Sequence, residues 1–384
     1  MAAPGVGCSL PSESTLNPRL LPTLALAALA CARGRVPFNL NSPSLVPLPD
    51  TAFHVRMRMD PAKRELVLVG GPYRVHPTPS AAGHAMMSMA ERDSLLCRFD
   101  WPLDASLRVF DLELTGDGGR PLPRALLHHL TIVNHDRRQL VYPIAERVMS
   151  FGKETQRVSL PTTVGIPLQA GQRISVYVMW DNNTDRDVEG VYLLVTIHWA
   201  PRNQVPRPIA VFPMFIDANR VVGGHDTYDV PPGGCVRTSE FSMPIGGHLL
   251  AVGGHLHDHG VYLRLEDADT ARTVVTVSAK RDQSGAVLGV ARKLLAVRGQ
   301  GPRLRAGHRY RLVAMYDNPT PDTLRGVMAY MAGLFAPDDA RQWPAIDPAN
   351  DEFRVDVRAL SGPVYRPGPR HGEPCRAIRG APGE

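Results

Sequence analysis

"GQRISVYVMWDNNTDRDVEGVYLLVTIHWAP", residues 171–201, and "GHRYRLVAMYDNPTPDTLRGVMAYMAGLFAP", residues 307–337, align without a gap. Gly, Arg, Met, Asp, Asn, Thr, Val, Ala and Pro recur in place. In the first copy Ile174, Val176 and Val178 alternate with other residues, and so do Val191, Leu193, Val195, Ile197 and Trp199. A period of two marks a strand with one face in a core. Between the two runs stands "DNNTD", and in the second copy "DNPTPD", both turn sequences. Each copy therefore predicts an antiparallel pair of strands.

A second match lies upstream. "FDWPLDASLRVFDLELTGDG" (99–118) pairs with "FSMPIGGHLLAVGGHLHDHG" (241–260), and the order of the two segments is the same in each half. A repeat this long is a duplicated domain rather than a solenoid unit. The expected fold is all-β, with two tandem antiparallel β-sandwiches of jelly-roll type related by internal duplication. The chain divides into a leader (1–35), a first sandwich (50–205), a second (206–340) and a polar Pro/Gly-rich tail (341–384). The Pro-rich stretch 200–213 joins the sandwiches, and the tail is expected to be extended or disordered.

Composition agrees. The 384 residues are 43% hydrophobic and 21% charged, which fits a globular chain with a core. The 34 Gly and 36 Pro suit many short strands joined by turns. A net charge of +6, spread along the chain without a basic block, gives no support to nucleic-acid binding. "RLLPTLALAALACARG" (19–34) places Arg19 before a short apolar run ending at Cys31. That pattern fits a signal-peptide core and resembles a lipobox, so export is expected: to the cell surface as a lipoprotein, to the periplasm, or as a secreted chain. Membrane contact would then come only through lipid on Cys31. Of the other cysteines beyond the leader, Cys97, Cys235 and Cys375, one disulfide is possible, Cys97–Cys235 for example.

"GGHLHDHG" (253–260) carries His255, His257 and His259 at alternate positions. In a strand they share one face, opposite the apolar set Leu250, Val252 and Leu256. The equivalent face in the first copy bears Asp111, Glu113 and Thr115, against a core face of Phe110, Leu112 and Leu114. On the last strand Val327, Ala329, Met331 and Phe335 form the core face, and Met328 points the other way. Met328 either packs against the other sandwich or offers a thioether to a soft metal. Two imidazoles and a thioether favour copper over zinc or magnesium. In the first half, "LLHHLTIVNHDR" (126–137) has adjacent His128 and His129, which meet one ion only if a bulge, bend or twist turns both to one side. His135 is expected in an exposed turn. Asp258 is either a carboxylate orienting an imidazole or a turn residue.

The order His-His, then H-x-H, then a Met on a late strand, in two similar jelly-rolls, resembles the copper type II, ascorbate-dependent monooxygenases, the peptidylglycine and dopamine hydroxylases among them. The resemblance spans roughly 95–335. It implies one copper on three histidines in the first domain and another on two His and a Met in the second, facing each other across an open, solvent-filled cleft. Carried over, His255, His257 and Met328 match the O2-binding copper, and His128 and His129 the electron-transfer copper. Met179 stands in "YVMWDN" where the third histidine belongs, with His198 and His225 outside the matching motif.

Three functions follow. The resemblance implies a copper-dependent monooxygenase that hydroxylates a small substrate with O2 and ascorbate or another reductant. The alternatives are an exported protein that binds one or two coppers without turnover, and a metal-free binding module. No G-x-S-x-G, H-E-x-x-H or paired-carboxylate motif supports a hydrolase.

Overall fold

The computed structural model describes residues 39–40, 42–48, 55–78, 94–155, 157–220, 227–296, 300–361 and 375–377. The expected leader, Cys31 and His225 lie outside them. No helix among the described residues is long and apolar enough to cross a membrane.

The chain is all-β and folds as two jelly-roll sandwiches. In the first, one sheet runs in the order Val46–Pro47, Val55–Asp60, Glu65–Val75, Val188–Pro201, Ala105–Thr115, Val164–Leu168, Ile209–Ala210. The opposing sheet runs Ser94–Asp100, Arg173–Trp180, Leu127–Arg138, Ala145–Gly152. In the second sandwich one sheet holds Phe212–Asp217, Ala329–Pro337 and Gly247–Leu256 as neighbours. The other has Val287–Val290, Arg272–Arg281, Gly260–Asp267, Arg309–Asn318, Gly233–Ser242 and Arg376–Ala377.

The duplication is visible in the pairing. Strand 173–180 lies between 94–100 and 127–138, just as 309–318 lies between 233–242 and 260–267. Strand 188–201 pairs with 65–75 and 105–115, as 329–337 pairs with 212–217 and 247–256. Gly190 and Gly326, matched in the two copies, both have positive φ, 66° and 65°, a conformation that glycine adopts without steric penalty.

Alternation builds two apolar cores. Phe110, Leu112, Leu114, Val176, Val195 and Trp199 lie in the first. Leu249, Val252, Leu256, Val327, Met331 and Phe335 lie in the second. Leu250 departs from the sequence expectation. A bulge between Leu249 and Ala251 shifts the register, so Leu249 takes the core place and Leu250 packs instead against the first core. Leu334 and Ala336 join it there. The outer face of this second-half sheet thus seals apolar surface of the first sandwich, and the two halves meet over a packed junction.

The structure settles the pairing that the sequence left open, and it corrects one further expectation. The disulfide is Cys235–Cys375, and Cys97 is a free, buried thiol in the first core. Burial pushes that thiol up to about 12, so it behaves as a small hydrophobe. The stretch after Pro337 is not simply extended. It carries an α-helix, Asp351–Ser361, docked on the first sandwich. Asp356 accepts from both Arg147 guanidinium nitrogens, at 2.8 and 2.6 Å, and from the Ala145 backbone N–H. The Leu360 carbonyl accepts from Tyr177 Oη and from Arg98. Ahead of the helix, Trp343 stacks on Phe212 with centroids 4.3 Å apart.

Candidate metal site at the sandwich junction

A bulge brings His128 and His129 together. Leu127 pairs with Trp180 and His129 with Met179, so His128 is the extra residue of its strand. The shift leaves both Leu127 and Leu130 in the first core, and it turns the two histidines away from that core. Their ring centroids lie 5.2 Å apart. Met179 is buried directly across from His129.

The second half supplies His255 and His257 from the end of strand Gly247–Leu256 and the turn after it. Past the Leu250 bulge, even positions face the second core, and odd ones face the first sandwich. Gly254 is on the core side, where a Cβ would run into Leu263. His255 stacks on its cross-strand neighbour Tyr330, with centroids 5.2 Å apart. His257 stands 5.1 Å from His255 and 5.9 Å from His128, centroid to centroid. Four imidazoles therefore form a row, His129, His128, His257, His255, that crosses from one sandwich to the other.

His257 Nε2 is sealed from solvent and has no hydrogen-bond partner. Burial, then the neighbouring His255, His128, Lys153 and His129, push its pKa well below the ordinary histidine value. The ring is therefore neutral near pH 7, the form in which imidazole binds metal ions. Neighbouring rings in the row stand 5.1–5.9 Å apart, near the roughly 5 Å of two rings on one ion, but no three of these side chains bring their donor atoms within 4.8 Å of one another.

Glu154 is the residue that sequence reasoning missed. It lies in the turn after strand Ala145–Gly152, and its Oε1 is 2.9 Å from His255 Nδ1. The carboxylate lies over Gly152, where any Cβ would overlap it. Burial alone would raise its pKa, but the hydrogen bond to His255, with Lys153 nearby, holds it below the usual carboxylate range. No local signal marks it, because its partner is 101 residues away. Asp258, the carboxylate that the sequence offered, accepts from the Val287 N–H, as a turn residue does.

His259 and His198 lie apart from the row, and Met328 meets it through its backbone. His259 has φ +64°, and its ring lies against Gly285, away from the row. Met328 is buried at the break between strands Leu324–Val327 and Ala329–Pro337. Its carbonyl accepts from the His257 N–H at 3.4 Å and from Tyr316 Oη at 2.7 Å. His198 faces Glu65 at 3.7 Å, in a different part of the fold. His135 is half-buried in a strand, bonded through Nε2 to Ser175 Oγ, and not in an exposed turn.

Among the described residues, three donor atoms fall within 4.8 Å of one another at Asp267, Asp269 and His308. A cation already sits there. Arg309 donates to both Asp269 oxygens, through Nε and its backbone N–H. Asp267 Oδ1 accepts from the backbone of Asp269 and Thr270. The group closes a turn.

No family model and no curated protein matches the chain. Solved structures with similar folds include the STIV MCP, 10% identical, covering 65% of this chain and 98% of that one at a TM-score of 0.33. Another is the cowpea mosaic virus empty particle, 11% identical, covering 73% and 91% at 0.33. A third is PNGF-II, 11% identical, covering 75% and 84% at 0.32. At these scores the likeness carries no argument about what the chain does.

The resemblance to copper type II monooxygenases does not hold, and with it falls the reading of the chain as a copper- and ascorbate-dependent hydroxylase. Neither a family model nor a curated protein supports the copper family. The geometry gives the physical reason. That family's arrangement needs two metal centres across an open cleft. Here the rings of the two halves stand 5.9 Å apart across a packed junction, and a Met179 side chain replaces the third histidine.

Proposed function

We propose that the chain binds one late first-row transition-metal ion at the sandwich junction, between imidazoles of the two halves. His128 and His257 face each other across it, with His129 and His255 flanking. Met328, whose backbone touches His257, is the further donor to examine. The observation that carries this reading is the buried, unpartnered His257 Nε2 in a row of four imidazoles. A buried acceptor without a partner costs about 1–3 kcal/mol, and a bound Lewis acid removes that cost. Borderline ions such as Cu2+ and Zn2+ suit imidazole donors. The Cys235–Cys375 disulfide supports folding in an oxidising compartment, in keeping with export.

The test is elemental analysis and titration of the purified chain with Cu2+, Zn2+ and Cu+. One ion per chain is expected for the wild type, and loss of binding for His257→Ala and for His128→Ala. An ion that survives in both variants places the site elsewhere and overturns the reading.

A further inference from the structure

The ion-binding reading leaves open which charge the site prefers and what fixes its donors, and a residue outside the histidine row answers both. His255 belongs to the second sandwich, yet its Nδ1 is 2.9 Å from an oxygen of Glu154, which belongs to the first. A 2.9 Å contact between an imidazole nitrogen and a carboxylate oxygen is a hydrogen bond with one proton in it, and since a carboxylate only accepts, His255 Nδ1 is the donor. That leaves Nε2 as the lone-pair nitrogen of His255. Carboxylate-to-histidine bonds of this kind fix tautomer and ring angle, and they strengthen the imidazole as a donor. Tyr330, stacked on the opposite side of the ring at 26° between planes, restricts it further. The Glu154 side chain is only 9% exposed, so its negative charge is weakly screened. Gly152 provides the space that the carboxylate occupies.

The geometry points to Glu154 as the positioning residue of the junction site, which commits His255 to donate through Nε2 and biases the site toward a divalent ion over a monovalent one. This rests on the ion-binding reading. A row of neutral imidazoles brings no net negative charge to the ion, and it also accepts Cu+ where the geometry allows. One buried carboxylate beside the row adds an attraction that doubles with the charge of the ion.

Two variants test it. Glu154→Gln keeps an acceptor for His255 Nδ1 but removes the charge. Glu154→Ala removes both. Affinities for Zn2+, Cu2+ and, under argon, Cu+ are measured by competition with chromophoric chelators, and the His255 tautomer is read by 15N NMR of the ion-free chain. Glu154→Gln is expected to weaken Zn2+ and Cu2+ about tenfold or more while Cu+ changes less and the tautomer persists. Glu154→Ala is expected to weaken both divalent ions by up to about 100-fold and to release the tautomer into a mixture. If the wild type holds no ion, the ion-binding reading falls and the selection falls with it. If the wild type holds an ion but Glu154→Ala leaves divalent affinity and tautomer unchanged, only the role of Glu154 is overturned. Equal losses for Cu+ and Zn2+ in Glu154→Gln overturn the charge preference.

Discussion

Asn182 and Asn318 make the same set of hydrogen bonds in the two halves of the molecule. Asn182 Nδ2 donates to the carbonyls of Val75 and Arg186, and its Oδ1 accepts from the Thr184 N–H and hydroxyl. Asn318 Nδ2 donates to the carbonyls of Val230 and Asp322, and its Oδ1 accepts from the Thr320 N–H and hydroxyl. Both side chains are buried, at 0% and 1% exposure. Each closes its turn and ties it to a strand that comes much earlier in the chain. Replacing either by Ala strands carbonyls without donors, at a cost of about 2–3 kcal/mol. Because the two sites share no partner, the double variant should lose the sum to within about 0.5 kcal/mol, as read by urea unfolding. A negligible loss from either one would show that water replaces the side chain.

The Arg147–Asp356 pair supports a second prediction. It holds the helix Asp351–Ser361 on strand Ala145–Gly152, with side chains only 22% and 8% exposed. Asp356→Ala takes the carboxylate away from a half-buried guanidinium that keeps the Ala145 carbonyl, and leaves the Ala145 N–H without its acceptor, and should cost about 3 kcal/mol. Hydrogen exchange should localise the loss to the helix and to Ala145. A uniform loss across both sandwiches would instead mean that the helix is part of the cooperative core.

Much of this was legible in the sequence and some was not. Alternation in 174–178 and 191–199, with its echo in the second copy, was enough for the fold class. The turn motifs were equally plain. The helix was not, because it is held by an ion pair, by Leu360 against Val133, Ala145 and Tyr177, and by hydrogen bonds to the Leu360 carbonyl, all reaching residues far away in the chain. Its one clear local cue is Asn350, whose side chain accepts from the Phe353 N–H ahead of Asp351 and Glu352. The histidines were visible as motifs. Their meeting across the junction depended on two bulges, at His128 and Leu250, and bulges leave little trace in a hydrophobicity pattern. Glu154 reaches the site only through tertiary contact.

Stability should depend on His135. Burial, with Arg98, Arg147 and Arg173 close by, pushes its pKa down to about 4, while an unfolded histidine titrates near 6.5. Between those values the unfolded chain binds the proton and the folded chain does not. Folding is therefore unaffected by this group above about pH 6.5 and loses stability as pH falls toward 4. The slope has an upper bound of about 1.4 kcal/mol per pH unit. Denaturant midpoints across pH 7 to 4 should fall in the wild type and fall less in His135→Gln. Parallel curves for the two proteins would assign the acid sensitivity to other groups.

Ion binding at the junction should also appear as stability, because ligands from two sandwiches cannot stay gathered around one ion when either unfolds. At free ion about 100 times the dissociation constant, the gain is about 2.7 kcal/mol. Thermal unfolding with and without Zn2+ should show a rise in midpoint that EDTA reverses and that His257→Ala lacks. A rise of equal size in His257→Ala would trace the effect to the Asp267, Asp269 and His308 group or to the surface.

Two residues near the C-terminus, Arg376 and Ala377, lie alongside Val236 and Cys235 and occupy the outermost place in a six-stranded sheet. The disulfide one residue earlier keeps them there. That cover reaches Cys235 and Val236; without it their backbone donors and acceptors would join an open edge along the 233–242 strand, available to a strand of another molecule. Reduction, or truncation before Cys375, is therefore expected to favour self-association, with light scattering rising in the reduced chain and not in the oxidised one, and the bond would then guard solubility as well as brace the fold.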